Sequence, residues 1–162
     1  MSQTDLLRVP KEPFAVDLAL ARFVPRRVVI YLAGQGPEEL LRRRVLDLLE
    51  HAQAFLPAHD EATGKWEIFN KDALLWIGVP LAPFGSAAAE EELFDFRRTV
   101  GVDLVGAEPL VGELLYSAPE ENTRLVDYLN EPGRFLRLWS KETLFLINKA
   151  FVRRIVEIAT SP

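Results

Sequence analysis

Apolar residues at Phe14, Val16, Leu18 and Leu20 occupy every second position, which predicts a strand over Phe14–Leu20. Arg27–Ala33 is a nearly continuous apolar run and reads as a buried strand, with Gly34-Gln35-Gly36-Pro37 as the turn that ends it. Glu38–Arg43 fits either a second strand or the lead into a helix. From there the period changes. Apolar or small residues at 45, 48, 49, 52, 55 and 56 follow helical spacing, and Pro57 is expected to stop the helix. Lys65–Asn70 and Ala73–Val79 read as strands with either a tight turn or a bulge between them at Asn70-Lys71-Asp72.

The C-terminal part follows the same course. Val100–Val105 and Leu110–Tyr116 are predicted strands around Gly106–Pro109. Asn122 or Thr123 is a credible N-cap for a short helix carrying Leu125, Val126, Tyr128 and Leu129, and Pro132-Gly133 ends it. Phe135–Trp139, Thr143–Ile147 and Phe151–Ile158 are strand-like. Between the two parts, PLAPFGSAAAEEE has the composition of a linker, with helical character over Ala87–Phe96.

The parallel extends to residue identity. At an offset of 80, Arg44, Asp47, Leu49, Phe55 and Leu56 match Arg124, Asp127, Leu129, Phe135 and Leu136. At an offset of 78, Asn70-Lys71 matches Asn148-Lys149, and Ile77 matches Ile155. Upstream, Val28–Gly36 can be set against Val100–Glu108. Two ungapped blocks in the same order point to an internal duplication. The expected fold is α+β and β-rich: a tandem duplication of a small β-β-α-β-β unit packed as a pseudo-twofold pair. The expected organisation is an N-terminal arm with one strand at 1–24, a first repeat at 25–80, a linker at 81–97 and a second repeat at 98–162.

Composition narrows the function classes. Of 162 residues, 49% are hydrophobic and 27% charged, which is globular and not disordered. Cysteine is absent, which removes thiolate chemistry and Cys-ligated zinc. The start MSQTDLLRVPKEPF lacks the pattern of a signal peptide, and no apolar run approaches a membrane-spanning length, so a cytoplasmic protein without membrane contact is expected. Net charge is −5 overall, about −1 in residues 1–80 and −4 in residues 81–162, which argues against nucleic acid as a partner. The short basic clusters Arg26-Arg27, Arg42-Arg43-Arg44 and Arg153-Arg154 read as solvated surface more readily than as a phosphate site.

Candidate chemistry is sparse. His51, His59 and Asp60 would need to converge across Pro57 to hold a metal. Asp47 and Asp127, each three residues after an arginine, read as helical ion pairs sooner than as paired catalytic carboxylates. Gly34-Gln35-Gly36 lacks the third glycine of a dinucleotide loop. The repeated Asn-Lys reads chiefly as turn chemistry. It is also the best polar recurrence, so Asn70, Lys71, Asn148 and Lys149, with Arg42 and Arg43, form the candidate interaction surface. Trp66, Trp76 and Trp139 are expected in the core or between the repeats.

The segment VGVDLVGAEPLVGELLYSAPEEN (residues 100–122) resembles the opening motif of Sm-like small barrels: apolar alternation, a turn, and a glycine in the second strand. That resemblance implies ring assembly and RNA binding. It covers 23 residues of the C-terminal part; the N-terminal part has no matching glycine, and the helix after the second strand departs from the pattern. The acidic charge opposes the RNA expectation. A non-enzymatic protein-binding or regulatory module, with no cofactor and with homo-oligomerisation open to it, is the leading expectation. The alternatives are a small-molecule sensor with a pocket between the repeats, and a nucleic-acid-binding small barrel.

Overall fold

The computed structural model describes residues 11–34, 41–81, 94–117 and 124–158. Within them, ten strands form one antiparallel sheet: β1 (Lys11–Leu20), β2 (Arg26–Ala33), β3 (Phe55–Asp60), β4 (Trp66–Asn70), β5 (Leu74–Pro80), β6 (Phe96–Leu104), β7 (Leu110–Tyr116), β8 (Phe135–Trp139), β9 (Thr143–Asn148) and β10 (Val152–Glu157). Helix α1 (Leu41–Glu50) lies between β2 and β3, and the short α2 (Leu125–Leu129) between β7 and β8. The chain is thus β-rich, as its alternating and continuous apolar runs predict. No helix among the described residues is long and apolar enough to cross a membrane.

The strand order is β10-β6-β7-β8-β9-β5-β1-β2-β3-β4. Each half therefore runs last strand, first, second, third, fourth, and the halves join where β5 pairs with β9. A twofold arrangement would join strands holding the same place in each half. Here the fifth strand of one half meets the fourth of the other, so the pseudo-twofold expectation is replaced by a head-to-tail step.

Three local readings also change. Phe55 and Leu56 belong to β3, which runs through Pro57, while α1 ends at Glu50. Alternation decides this: Leu56 and Ala58 are buried while Phe55 and Pro57 are exposed, a period of two that a short window confuses with helical spacing. In the sheet order β6 stands where β1 stands in the N-terminal half, so Val100–Glu108 and Val28–Gly36, set against each other in sequence, hold different places in the sheet. Lys11–Leu20 pairs with both β2 and β5, which makes the N-terminal segment an interior strand of the sheet. The expectations for Gly36-Pro37, Glu38–Leu40, most of the 81–97 linker and the Asn122 or Thr123 cap lie outside the described residues.

The core crosses the junction. One cluster of buried apolar residues joins Val16, Ile30, Val45, Leu49 and Ile77 to Phe135, Trp139, Leu144 and Leu146. The other joins Ala19, Leu75 and Trp76 to Val100, Leu114, Leu138 and Ile147. Neither half closes its apolar faces alone. At Gly112, an added Cβ would lie 2.6 Å from Trp139 O and 2.9 Å from Leu138 Cγ, so only glycine lets β7 approach β8 this closely.

Candidate interaction surface

The repeated Asn-Lys pairs build the turns that set the sheet. Asn70 Oδ1 accepts from Asp72 N at 2.9 Å, and Asn148 Oδ1 from Ala150 N at 3.0 Å, each capping a 3-10 turn (Lys71–Ala73 and Lys149–Phe151). The lysines after them reach back to the ends of the helices. Lys71 Nζ donates to Leu48 O (2.6 Å) and His51 O (3.3 Å), and Lys149 Nζ donates to Glu131 O (2.9 Å). These carbonyls carry the partial negative charge of a helix C-terminus. Lys71 is 1% exposed, and burial, with Arg134 nearby, holds its ammonium below the ordinary lysine value.

Of the six residues expected on a surface, three are buried: Arg42, Lys71 and Asn148. The Arg42 guanidinium lies 5.5 Å from the Trp139 ring centroid, a cation–π contact across the junction. Asn70 and Arg43 are exposed, and Lys149 is half-buried. The six do not form one patch.

Asn148 does more than cap. Its Nδ2 donates to Asp72 O (3.2 Å) and Leu74 O (3.0 Å), both in the other half. Glu50, at the end of α1, also crosses the junction: its carboxylate accepts from Arg134 N (2.8 and 2.9 Å) and Phe135 N (2.8 Å). Arg134 pairs with Asp72 as well. Periodicity in one chain segment could not reveal these links, because each joins groups more than sixty residues apart.

Surface cations are largely matched by acids. Arg26 pairs with Asp60 (3.2 Å) and Glu67 (2.5 Å), Arg27 with Asp17 (3.0 Å), and Arg44 with Glu12 (3.1 Å); Arg153 and Arg154 share Asp103 (3.1 and 3.2 Å). The Arg-x-x-Asp pair forms in α2 as Arg124–Asp127 (3.0 Å), whereas Arg44 turns to Glu12. His51 Nδ1 accepts from Gln53 N, and His59 Nδ1 meets the Tyr31 hydroxyl at 3.3 Å. Among the described residues, no three His, Asp or Glu side chains are placed to hold a metal.

The apolar surface that sequence reasoning missed lies on the outer face of β3 and β4, at one end of the sheet. Phe55 is 59% exposed, Trp66 59% and Ile68 74%. Tyr31 stacks on Trp66 with centroids 5.5 Å apart, and His59 meets the Trp66 edge at 4.9 Å. Trp66 therefore departs from the core position expected of it, while Trp76 and Trp139 are buried. The signal was present as alternation of Phe55, Pro57 and His59 with Leu56 and Ala58, but both faces of β3 are apolar, so the pattern does not say which one is covered.

A separate groove of about 320 Å³ separates α1 from α2, lined by Leu46, Glu50, Tyr128, Phe135, Arg137 and Lys149 among others. Burial raises the Tyr128 hydroxyl above its ordinary value there. No protein family, characterised protein or solved structure matches this chain.

Proposed function

We propose that the chain is a tandem duplication of one β-rich unit and serves as a non-enzymatic protein-binding module that engages its partner at the β3–β4 end of the sheet. The observation that carries this reading is the clustering of exposed Phe55, Trp66 and Ile68 beside a terminal strand. Contiguous exposed apolar side chains mark contact surfaces, and an end strand offers unpaired backbone groups to a partner. The duplication is supported by the strand order of the halves and by their equivalent turns: Lys71 N donates to Ala54 O as Lys149 N donates to Arg134 O, both at offsets of 78 and 80. The acid-matched arginines weigh against a phosphate-backbone partner.

The test is affinity capture from native lysate at low and high salt, with wild type and Ile68→Lys in parallel. A protein retained by wild type at both salt levels and lost by the variant is expected. Capture indifferent to the substitution, or nucleic acid that leaves at high salt, overturns the reading. The groove between α1 and α2 favours a second reading, a small-molecule sensor, because its volume is that of a small ligand site and it combines apolar walls with Glu50, Arg137 and Lys149. Ligand-induced thermal stabilisation abolished by Arg137→Ala would select that reading.

A further inference from the structure

We infer that the partner of the β3–β4 end is the β10 end of a second copy of this chain, joined in the register that β9 and β5 use inside one copy. This rests on the duplication and the binding surface proposed above and names the occupant of that surface.

The internal junction supplies the template. β5 pairs with β9 as Ile77↔Leu146 and Val79↔Leu144. The remaining strands of the same kind, β10 and β4, end the sheet on opposite sides. Offsets of 78 carry the register across as Ile155↔Ile68 and Glu157↔Trp66. Hairpin registers agree with those offsets, since Phe55↔Asn70 and Leu56↔Phe69 correspond to Phe135↔Asn148 and Leu136↔Ile147.

Backbone polarity fits this register. Leu81 N donates to Glu142 O, and antiparallel pairs alternate, so Ile77–Leu146 and Val79–Leu144 are hydrogen-bonded pairs. Asp60 N donates to Lys65 O, which turns Lys65, Glu67 and Phe69 toward β3 and leaves the amides of Trp66 and Ile68 pointing off the edge. Ile158 N donates to Thr99 O, which likewise leaves Ile155 and Glu157 pointing outward. The transferred register thus sets outward groups against outward groups; a slip of one residue would not.

Burial shows what such a neighbour would cover. Phe135, Trp139, Leu144 and Leu146 are at most 6% exposed, because the N-terminal half packs on them. Their counterparts are Phe55, His59, Trp66 and Ile68, the exposed face described above. On the opposing side, Val45 and Leu49 of α1 are fully buried against the junction, whereas their counterparts Leu125 and Leu129 in α2 are only half-buried. Asn148 Nδ2 bridges to Asp72 O and Leu74 O; Asn70 Nδ2 has no acceptor among the described residues, and the matching carbonyls of a second copy are those of Ala150 and Val152. Arg154 and Glu67 would also stand diagonally across the new junction with opposite charge. Because the two joined edges differ, the association is heterologous, and each added copy presents a fresh edge.

The experiment uses purified full-length chain and two edge-blocked variants, followed by sedimentation equilibrium over a wide concentration range. Ile68→Pro removes an outward amide from β4, and Glu157→Pro removes one from β10; both sites are exposed and at the sheet ends, where proline is tolerated. Circular dichroism checks folding, with Ile68→Lys and Glu157→Lys as replacements should either proline variant unfold. Wild type is expected to gain mass in steps of 18.3 kDa with concentration. Each variant alone is expected to stay monomeric, and an equimolar mixture to form one dimer, through the intact β10 of one and the intact β4 of the other. In the same register Glu67→Cys and Val156→Cys chains, otherwise free of cysteine, should cross-link only to each other. A wild type that stays monomeric throughout overturns the inference, and so does a Glu157→Pro variant that associates by itself. Persistent Ile68-dependent capture from lysate by a monomeric wild type would leave the binding-module reading standing while this inference fails; loss of both effects would remove both.

Discussion

Asn148 and Asn70 hold the same place in the two halves, so replacing each by aspartate isolates what the junction adds. An aspartate keeps the Oδ1 acceptor that caps the 3-10 turn and removes the Nδ2 donor. At Asn148, which is 4% exposed, that donor serves Asp72 O and Leu74 O. Losing two hydrogen bonds costs about 1 kcal/mol each. The new carboxylate would also face two carbonyl oxygens out of water, and an uncompensated buried charge costs about 3–5 kcal/mol. Asn148→Asp is therefore expected to lose roughly 5–7 kcal/mol in urea unfolding at neutral pH. Burial raises the folded-state pKa of the introduced carboxyl above its unfolded value of about 3.9, so the folded state binds the extra proton more tightly. The destabilisation should be smallest below the unfolded pKa and grow as pH rises through the folded one. Asn70→Asp, at an exposed site whose amide nitrogen has no acceptor among the described residues, should stay within about 0.5 kcal/mol of wild type at low protein concentration. Equal losses at the two sites, or a loss at Asn148→Asp independent of pH, would refute the assignment of Asn148 as the bridge between halves.

Gly112→Ala should destabilise by about 1–3 kcal/mol, because its Cβ would meet the Trp139 carbonyl, while Gly101→Ala, with nothing nearer than 4.0 Å, should be close to neutral in the same denaturant titration. Glu50→Gln keeps one acceptor but loses the charge that holds Arg134 N and Phe135 N; a loss of about 1.5–3 kcal/mol is expected, with faster hydrogen exchange at those two amides. The Thr63 amide, with those of Ala62 and the Arg26 guanidinium, holds the Asp60 carboxyl below its ordinary 3.8. Its stabilising effect is complete above 3.8 and fades as pH falls through the lower folded-state value, so the difference in melting temperature between wild type and Asp60→Asn should shrink on acidification.

The sequence by itself determined where most strands lie. Arg27–Ala33, Leu110–Tyr116, Phe135–Trp139 and Thr143–Ile147 were legible because apolar runs and alternation are local, and Asn70 and Asn148 announced turns because a side chain that caps two residues ahead needs nothing from elsewhere in the chain. β3 was not legible: Phe55 and Leu56 continue the helical spacing of α1, and only pairing with Asn70 and Phe69 of β4 makes them strand. Tertiary structure alone decided which strand joins the halves. Backbone hydrogen bonding is the same for any edge, so β5 meets β9 because that pairing buries Ile77, Val79, Leu144 and Leu146 together, a choice set by side chains nearly seventy residues apart. Tertiary structure also separates the two roles of asparagine. Asn70 and Asn148 are one residue type in one turn, yet only Asn148 has a second half of the molecule to hold, because the sheet ends at β4 and continues past β9.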